Sequence, residues 1–573
     1  MYWQKTIVFL FGILFLSCAR IVMPSGGPAD TTPPKVKIST PVNYSTHFEA
    51  DKISILFDEY IVLKDFNQEF VSSPLFKDKP QKVLKGKSII LKFDKDSLEP
   101  NTTYTLNFGN SIAGFRAGNV LEQFQYVFST GDIIDSLHIS GHLYWAEDLS
   151  PKEKIWVLLY KNFNDSILRT QRPDFVAKTD KDGFFSINNI AEGEYYITAL
   201  KDINSNYIFD LPNEQIAFLD STFSLSVEEN EETDSLKLDS NSTAKPYRIF
   251  PEQIDLFLFE EEFSNQYLSE YTRNGDYEFN LIFNEPYDTN LTLRIDQSDD
   301  KQWIVEPSLN KDTFNIWLID TNLAKRDTLT LFLDYYKTND STHVLSFYKD
   351  TLVFQRKAQE KTNDRILDLK SNISEKHSFD FYKTPYIRST FPLRSVDLSK
   401  IKFYKKIDTT FTLVNTVLSP DSLNARQYNI DYPLEENTEY KIYIEPKAFT
   451  DYRTFSNDTI EHVFKTTSTE RYTEIILKVQ GVQQDLIVQL LDNKNNCLRE
   501  SFLKTDSALT FKYLKPINYK LKIIEDTNSN KQWDTGNYNE KRQAEKVYFY
   551  TEPISTKANW SHDITWDLSK PNN

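Results

Sequence analysis

Leu98-Glu-Pro-Asn-Thr-Thr-Tyr-Thr-Leu106 and Leu434-Glu-Glu-Asn-Thr-Glu-Tyr-Lys-Ile442 follow one pattern. An Asn that suits a turn leads into residues alternating at period two, the mark of a strand with one buried face. In both places a closing strand reaches its Phe 27 residues after the Asn, at Phe128 in Tyr126-Val-Phe-Ser-Thr130 and at Phe464 in His462-Val-Phe-Lys-Thr466. A second pair lies further along: Tyr195-Tyr-Ile-Thr-Ala-Leu-Lys-Asp-Ile-Asn-Ser-Asn206 and Tyr519-Lys-Leu-Lys-Ile-Ile-Glu-Asp-Thr-Asn-Ser-Asn530. The offsets of 336 and 324 residues mean that a two-module unit occurs twice, with linkers that differ by 12 residues. Elsewhere the same alternation recurs, as in Lys52-Ile-Ser-Ile-Leu-Phe57 and Ser88-Ile-Ile-Leu-Lys-Phe93, at the short spacing of β-sandwiches.

Composition agrees. At about 150 residues per domain, 573 residues predict about four domains. A 39% hydrophobic and 26% charged chain can bury cores, and 32 Tyr with 41 Phe favour strands. Only 14 glycines are present, well below the usual ~7%, which nearly excludes glycine-rich phosphate loops. The net charge of −17 argues against nucleic acid as a partner, because phosphate binding needs a basic surface.

The chain begins with Lys5 and an apolar run from Thr6 to Leu16. Eleven residues are too few for a spanning helix, which needs about 20, but suit a signal-peptide core. The run ends at Leu16-Ser17-Cys18, which resembles a bacterial lipobox, with Phe15 where Leu is more usual. That resemblance implies cleavage before Cys18 and lipidation of its thiol, so residues 1–17 are expected to be a signal peptide. Residues 18–33 contain Pro24, Pro28 and Pro33 with Gly26 and Gly27, and are expected to be an extended tether. A lipid, a tether and a folded body make an anchored protein rather than a spanning one. With Cys18 lipidated, Cys497 has no intramolecular partner and is read as a small buried hydrophobe, the alternative being an idle thiol.

Residues 31–131, through Pro41-Val-Asn-Tyr-Ser45, Phe57-Asp-Glu59 and Asn101-Thr-Thr-Tyr104, resemble the bacterial Ig-like domain of Bacteroidota lipoproteins. Residues 134–220 resemble a transthyretin-like (carboxypeptidase regulatory-like) sandwich through Thr179-Asp-Lys-Asp-Gly-Phe-Phe185 and Gly193-Glu-Tyr-Tyr-Ile-Thr-Ala-Leu-Lys201. The expected fold is all-β: tandem Ig-like and transthyretin-like sandwiches on a lipid-anchored tether. The domains are set at 34–132 (Ig-like), 133–221 (transthyretin-like), 246–356 (Ig-like), 357–468 (second copy of the first) and 469–573 (second copy of the second). Residues 222–245, acidic and rich in Ser, Asp and Asn, are expected to be a linker or loop.

The sharpest chemical motif is Asp202-x-Asn204-x-Asn206-x-x-x-Asp210, repeated as Asp526-x-Asn528-x-Asn530-x-x-x-Asp534. Oxygen ligands at loop positions 1, 3, 5 and 9 match the front of a calcium loop, with carbonyls of Ile208 and Gln532 at position 7. Tyr207 and Lys531 stand where such a loop has glycine, and Asn213 and Asn537 where it has a bidentate Glu, with Glu214 one place late. The competing reading is a tight turn in which Asp and Asn bond their own backbone. Calcium is therefore the one candidate cofactor. His138 and His142 share a strand face about 13 Å apart at ~3.3 Å per residue, too far to share a metal ion. No Gly-x-Ser-x-Gly, no Cys with a nearby base and no His-x-x-Glu occurs, so an enzyme is not expected.

Asp followed by Ser or Thr and an aliphatic residue or Thr occurs at Asp30, Asp96, Asp135, Asp165, Asp220, Asp234, Asp327, Asp340, Asp350, Asp408, Asp421, Asp458 and Asp506. This is similar to the O-glycosylation sequon of exported Bacteroidota proteins, and is also ordinary turn chemistry. Trp145, Trp156, Trp303, Trp317, Trp533, Trp560 and Trp566 are expected mostly in cores. Together these readings predict a non-catalytic outer-membrane lipoprotein, on the cell-surface face. It would act as scaffold or accessory subunit for integral outer-membrane proteins such as the β-barrel assembly machinery. Surface export is not signalled by acids after Cys18, where Ala19-Arg-Ile-Val22 follows. The alternative is a surface glycan-binding or adhesion lipoprotein working through exposed aromatics.

Overall fold

The computed structural model describes residues 30–229, 247–262, 265–287, 291–296, 298–339, 344–356, 366–374 and 378–570. The signal segment, Cys18, most of the tether and residues 230–245 of the expected acidic linker lie outside the described residues. Strands make up 49% of the chain and helices 5%, so the fold is all-β, built of tandem β-sandwiches. Among the described residues no helix is long and apolar enough to cross a membrane. The chain forms two compact units: residues up to Glu261 with Asn537–Ala544, and Glu262–Gly536 with Glu545 onward.

The repeated Asn-Thr-x-Tyr motif proves to be a tyrosine corner, and both copies make it with the same atoms. Asn101 and Asn437 take left-handed backbone conformations, φ 51° and 53°, which Asn tolerates. The Tyr104 hydroxyl accepts from the Glu99 backbone N–H at 2.8 Å, and the Tyr440 hydroxyl from that of Glu435 at 2.8 Å. From the closing strands, Thr130 and Thr466 donate to the Glu99 and Glu435 carbonyls at 2.7 and 2.6 Å. The ring of each Tyr stacks on the Phe of its closing strand, at 5.3 Å from Phe128 and 5.7 Å from Phe464.

In the first unit, the N-terminal sandwich faces a four-stranded sheet against a three-stranded one. The first runs in the order Val36–Thr40, Lys52–Phe57, Ser88–Lys92, Gln81–Lys85, and the second in the order Gln125–Ser129, Thr103–Asn107, Val71–Ser73. Alternation sends Ile53, Ile55, Phe57, Ile89 and Leu91 inward against Tyr104, Leu106 and Phe128. In the second unit, residues from Leu369 to Lys465 repeat this plan, with one added edge strand, Thr410–Leu413, on the second sheet. Their first sheet runs Leu369–Ser371, Tyr386–Ser389, Gln427–Asp431, Val417–Pro420, and Glu439–Ile444 again pairs with the closing strand Ile460–Lys465.

The other two repeated modules also share one plan. Each opening strand, Leu137–Trp145 or Thr473–Gln480, pairs antiparallel with the fourth strand of its module and parallel with the last. In the C-terminal module the last strand is Ser561–Asp567; in the earlier one it is Leu256–Glu260. This moves two expected boundaries. Leu256–Glu260 closes the second module, because Leu256 and Leu258 complete its core, so that module runs to about Glu260 rather than 221, and the third does not begin at 246. Phe223–Glu229, expected as linker, is a strand paired with Gly193–Lys201 and with Tyr247–Phe250. The acidic composition misled because only Leu225, fully buried, and Phe223, half-buried, of this strand pack on the core.

The third sandwich joins a four-stranded sheet (Leu268–Arg273, Glu278–Phe283, Thr313–Leu318, Trp303–Pro307) to a three-stranded one. It meets the fourth within the second unit. There the Arg426 guanidinium lies 4.8 Å from the Trp317 ring and pairs with Glu306 at 2.9 Å, while Trp317 Nε1 donates to the same carboxylate. Two further expectations are corrected. Cys497 is exposed, on a strand that among the described residues pairs only with Leu486–Leu491. Of the seven Trp among the described residues only Trp317 and Trp566 are buried; Trp145, Trp156, Trp303 and Trp533 are half-buried, and Trp560 is exposed. The indole is too large for most positions of thin sandwich cores, so it sits at their margins.

Candidate functional site

The two Asp-x-Asn-x-Asn loops leave the strands Gly193–Lys201 and Asn518–Glu525. Each curls tightly because two residues turn left-handed: Ser205 and Tyr207 at φ 62° and 63°, Ser529 and Lys531 at 61° and 69°. Neither Tyr nor Lys has the freedom of glycine there, and the aspartate that opens each loop stabilises the bend. Asp202 Oδ1 accepts from the N–H groups of Ser205 and Asn206, and Oδ2 from that of Tyr207 at 2.7 Å. Asp526 accepts in the same way from Asn530 and Lys531.

Positions 3, 5 and 9 also meet. Asn204 and Asn206 turn their Nδ2 groups to Asp210 at 3.0 and 2.8 Å, and Asn528 and Asn530 turn theirs to Asp534 at 2.7 and 2.8 Å. Asn206 Oδ1 accepts from the Ile208 N–H at 2.7 Å, and Asn530 Oδ1 from that of Gln532. All eight residues singled out in the sequence thus lie in two closed loops. As arranged, amide N–H groups rather than oxygens face Asp210 and Asp534. That donor set does not offer the six to eight oxygens calcium requires unless the amides turn over. Among the described residues, no group of three or more His, Cys, Asp or Glu side chains is placed to hold a metal ion.

The acid that completes each loop is the residue sequence reasoning half-saw in one copy and missed in the other. Glu214 is fully buried; its Oε1 accepts from the Ile203 N–H, and its Oε2 from those of Asp210 and Leu211. Glu545 does the same work in the second loop, accepting from Thr527 N–H and hydroxyl and from Asp534 N–H. Three residues separate Asp210 from Glu214, whereas ten separate Asp534 from Glu545, so spacing could not pair them. The ten include Asn537–Ala544, which belongs to the first unit. There Tyr538 is buried edge-on to Phe218 at 5.3 Å, with its hydroxyl donating to the Asp165 carbonyl.

Elsewhere the chemistry is that of surfaces. His138 is exposed and His142 half-buried on one strand, the latter bonded to Gln253. Of the Asp-Ser and Asp-Thr turns within the described residues, every hydroxyl-bearing residue is exposed except Ser97, which is half-buried.

Comparison with known proteins adds one firm identification. Residues 30–130 match a family model described as a bacterial Ig-like domain. No curated protein matches the chain. Among solved structures, the major pilin subunit of Bacillus cereus is similar at 11% identity, over 75% of this chain and 99% of the pilin, with a TM-score of 0.13. The S-layer protein rSbsC(31-844) is similar at 10% identity, over 91% of this chain and 67% of its own, with a TM-score of 0.15. At these TM-scores the structural matches add nothing to the family match. The described body is thus built of β-sandwiches, and its residues 30–130 match the bacterial Ig-like domain.

Proposed function

We propose that this chain is a non-catalytic lipoprotein of the outer membrane, acylated at Cys18, whose sandwiches serve as scaffold or accessory subunit of an outer-membrane protein complex. The Bacteroidota lipoprotein resemblance and the transthyretin-like character of the repeated second module belong to the same proposal. The observation that carries it is the order of parts: a short apolar core, Leu16-Ser17-Cys18, a Pro/Gly tether, and then a body of sandwiches. Its sharpest polar clusters, the two Asp/Asn loops, spend their carboxylates on their own backbone and Asn amides. Such domains offer faces and edge strands, the surfaces by which β-proteins dock. The specific candidate partner is the β-barrel assembly machinery, and the expected address is the cell-surface face. Affinity capture of the tagged chain from detergent-solubilised membranes tests the proposal. Recovery of an integral β-barrel protein in fixed proportion is the expected result, and recovery with no barrel protein would refute it. Protease shaving of intact cells assigns the face.

A further inference from the structure

An open cleft of about 370 Å3 lies at one end of the C-terminal sandwich, where Thr473–Gln480 and Ser561–Asp567 begin and Ser507–Leu514 ends. Its most exposed aromatic is Trp560, 59% accessible. The side chain stands out because its backbone is fixed. The Trp560 carbonyl accepts from the Glu474 N–H at 3.1 Å and from the Thr473 hydroxyl at 2.8 Å. The preceding Asn559 is left-handed, φ 61°, and donates its N–H to Tyr472 at 2.7 Å. An indole held in water by an anchored turn is a preorganised platform, since little further order is lost when something lies on it. Across the cleft Tyr513, also left-handed at φ 57°, is braced by stacking on Tyr382 at 4.8 Å.

Part of the polar lining is engaged, through Thr469, Tyr472 and Thr473, and part is unspent. Among the described residues, the side chains of Glu474, Lys512, Asn559 and Ser561 make no hydrogen bond or ion pair, although the strands and turn hold all four at the cleft. They offer a carboxylate acceptor, an ammonium donor, and an amide and a hydroxyl that do both. The Lys557 ammonium stands 5.3 Å from the indole. One carboxylate against two ammonium groups favours no highly charged ligand. What suits such a site is a compact molecule with an apolar face for the indole and several hydroxyls that donate and accept together.

We propose that this cleft binds a neutral saccharide of one or two pyranose rings, one ring face lying on Trp560 and the hydroxyls bonding Glu474, Lys512 and Asn559. The volume falls in the range of small-ligand sites, about 300–1,000 Å3. The proposal stands on this cleft alone and is independent of the anchor.

The test uses the detergent-solubilised full chain with maltose, cellobiose and N-acetylchitobiose as probes, read by saturation-transfer NMR and by titration. At least one probe is expected to bind with a Kd of about 1 mM. Trp560→Ala is expected to weaken it about tenfold or more, Trp560→Phe and Glu474→Gln by less. Because Trp560 is exposed, the Ala variant should keep the parent melting curve, which confirms that loss reflects the site. If none of the three sugars binds, or if Trp560→Ala binds within about twofold of the parent, the assignment is overturned. Binding of adenosine or of an aromatic tripeptide in place of all three sugars overturns it as well.

Discussion

Removing one oxygen from Tyr104 or Tyr440 leaves the N–H of Glu99 or Glu435 without its acceptor, while the ring can still stack on Phe128 or Phe464. Each N–H is partly reached by water, so Tyr104→Phe and Tyr440→Phe should each cost about 1 kcal/mol, seen in denaturant titration of the module concerned. A loss of several kcal/mol would mean that the hydroxyl does more than cap one donor. The other repeated pair uses the mirror arrangement: the Tyr195 and Tyr519 hydroxyls donate, to the carbonyls of Ala191 and Lys515 at 3.0 and 2.5 Å. Burial pushes both phenols up to about 12, against an ordinary value near 10. Between those values the folded chain keeps protons that the unfolded chain has lost. Stability contributed by these groups is therefore complete below about pH 10 and is lost as pH rises towards 12. Tyrosinate absorbance followed against unfolding should show these phenols ionising with the alkaline transition, and Tyr195→Phe with Tyr519→Phe should make that transition less steep. Both motifs were legible in the sequence as repeats. Their reason was not, because whether a hydroxyl donates to or accepts from the backbone depends on the path of a turn that no spacing records.

At the scale of the element, the Asp/Asn loops show where pattern stops. Positions 1, 3, 5 and 9 stood out because Asp and Asn at alternate positions are rare outside turns and ion sites. The residue that completes each loop lies at no fixed interval, at Glu214 in one copy and Glu545 in the other. Domain ends behaved alike: Leu256–Glu260 belongs to the second module through a parallel pairing with Leu143–Trp145, a long-range contact that local composition cannot reveal. Glu214→Gln keeps one acceptor oxygen but sets an NH2 group against donors, so it should cost about 2–3 kcal/mol. In a chain of several modules one melting curve blurs such a loss. Hydrogen exchange at the Ile203, Asp210 and Leu211 amides reads it locally, and these should exchange faster while the sheet strands do not. The same amides decide the calcium reading. With the loop closed as it stands, millimolar calcium or a chelator should leave their exchange unchanged. Slower exchange in calcium, abolished by Asp210→Asn, would show that Asn204 and Asn206 turn their oxygens inward and that the loop is an ion site.

For the molecule as a whole, the fold class was readable because alternation, the paired repeats and abundant Tyr and Phe all point to sandwiches. The lipoprotein proposal rests on the N-terminus, and a proposal of added sugar rests on the surface turns. The Asp-Ser and Asp-Thr turns reach solvent at nearly every described hydroxyl, so sugar added there would meet no steric obstacle. Intact mass of the chain purified from its own cells should exceed the mass of residues 18–573 plus lipid by whole sugar units, and an exact match would leave those turns as turns. The anchor admits the most direct test, because a lipid changes partition more than any contact does. Each buried CH2 contributes about 0.8 kcal/mol, one chain gives only reversible attachment, and two or more hold a protein firmly. If Cys18 carries a diacylglycerol, the parent should label with palmitate and pellet with the outer membrane through a high-salt wash. Cys18→Ala should neither label nor pellet, while keeping the melting behaviour of the body, which begins beyond the tether. Retention of Cys18→Ala on the membrane without label would mean that the sandwiches themselves hold it there by docking. A parent that takes no label would remove the anchor from the account and leave the scaffold proposal without its membrane.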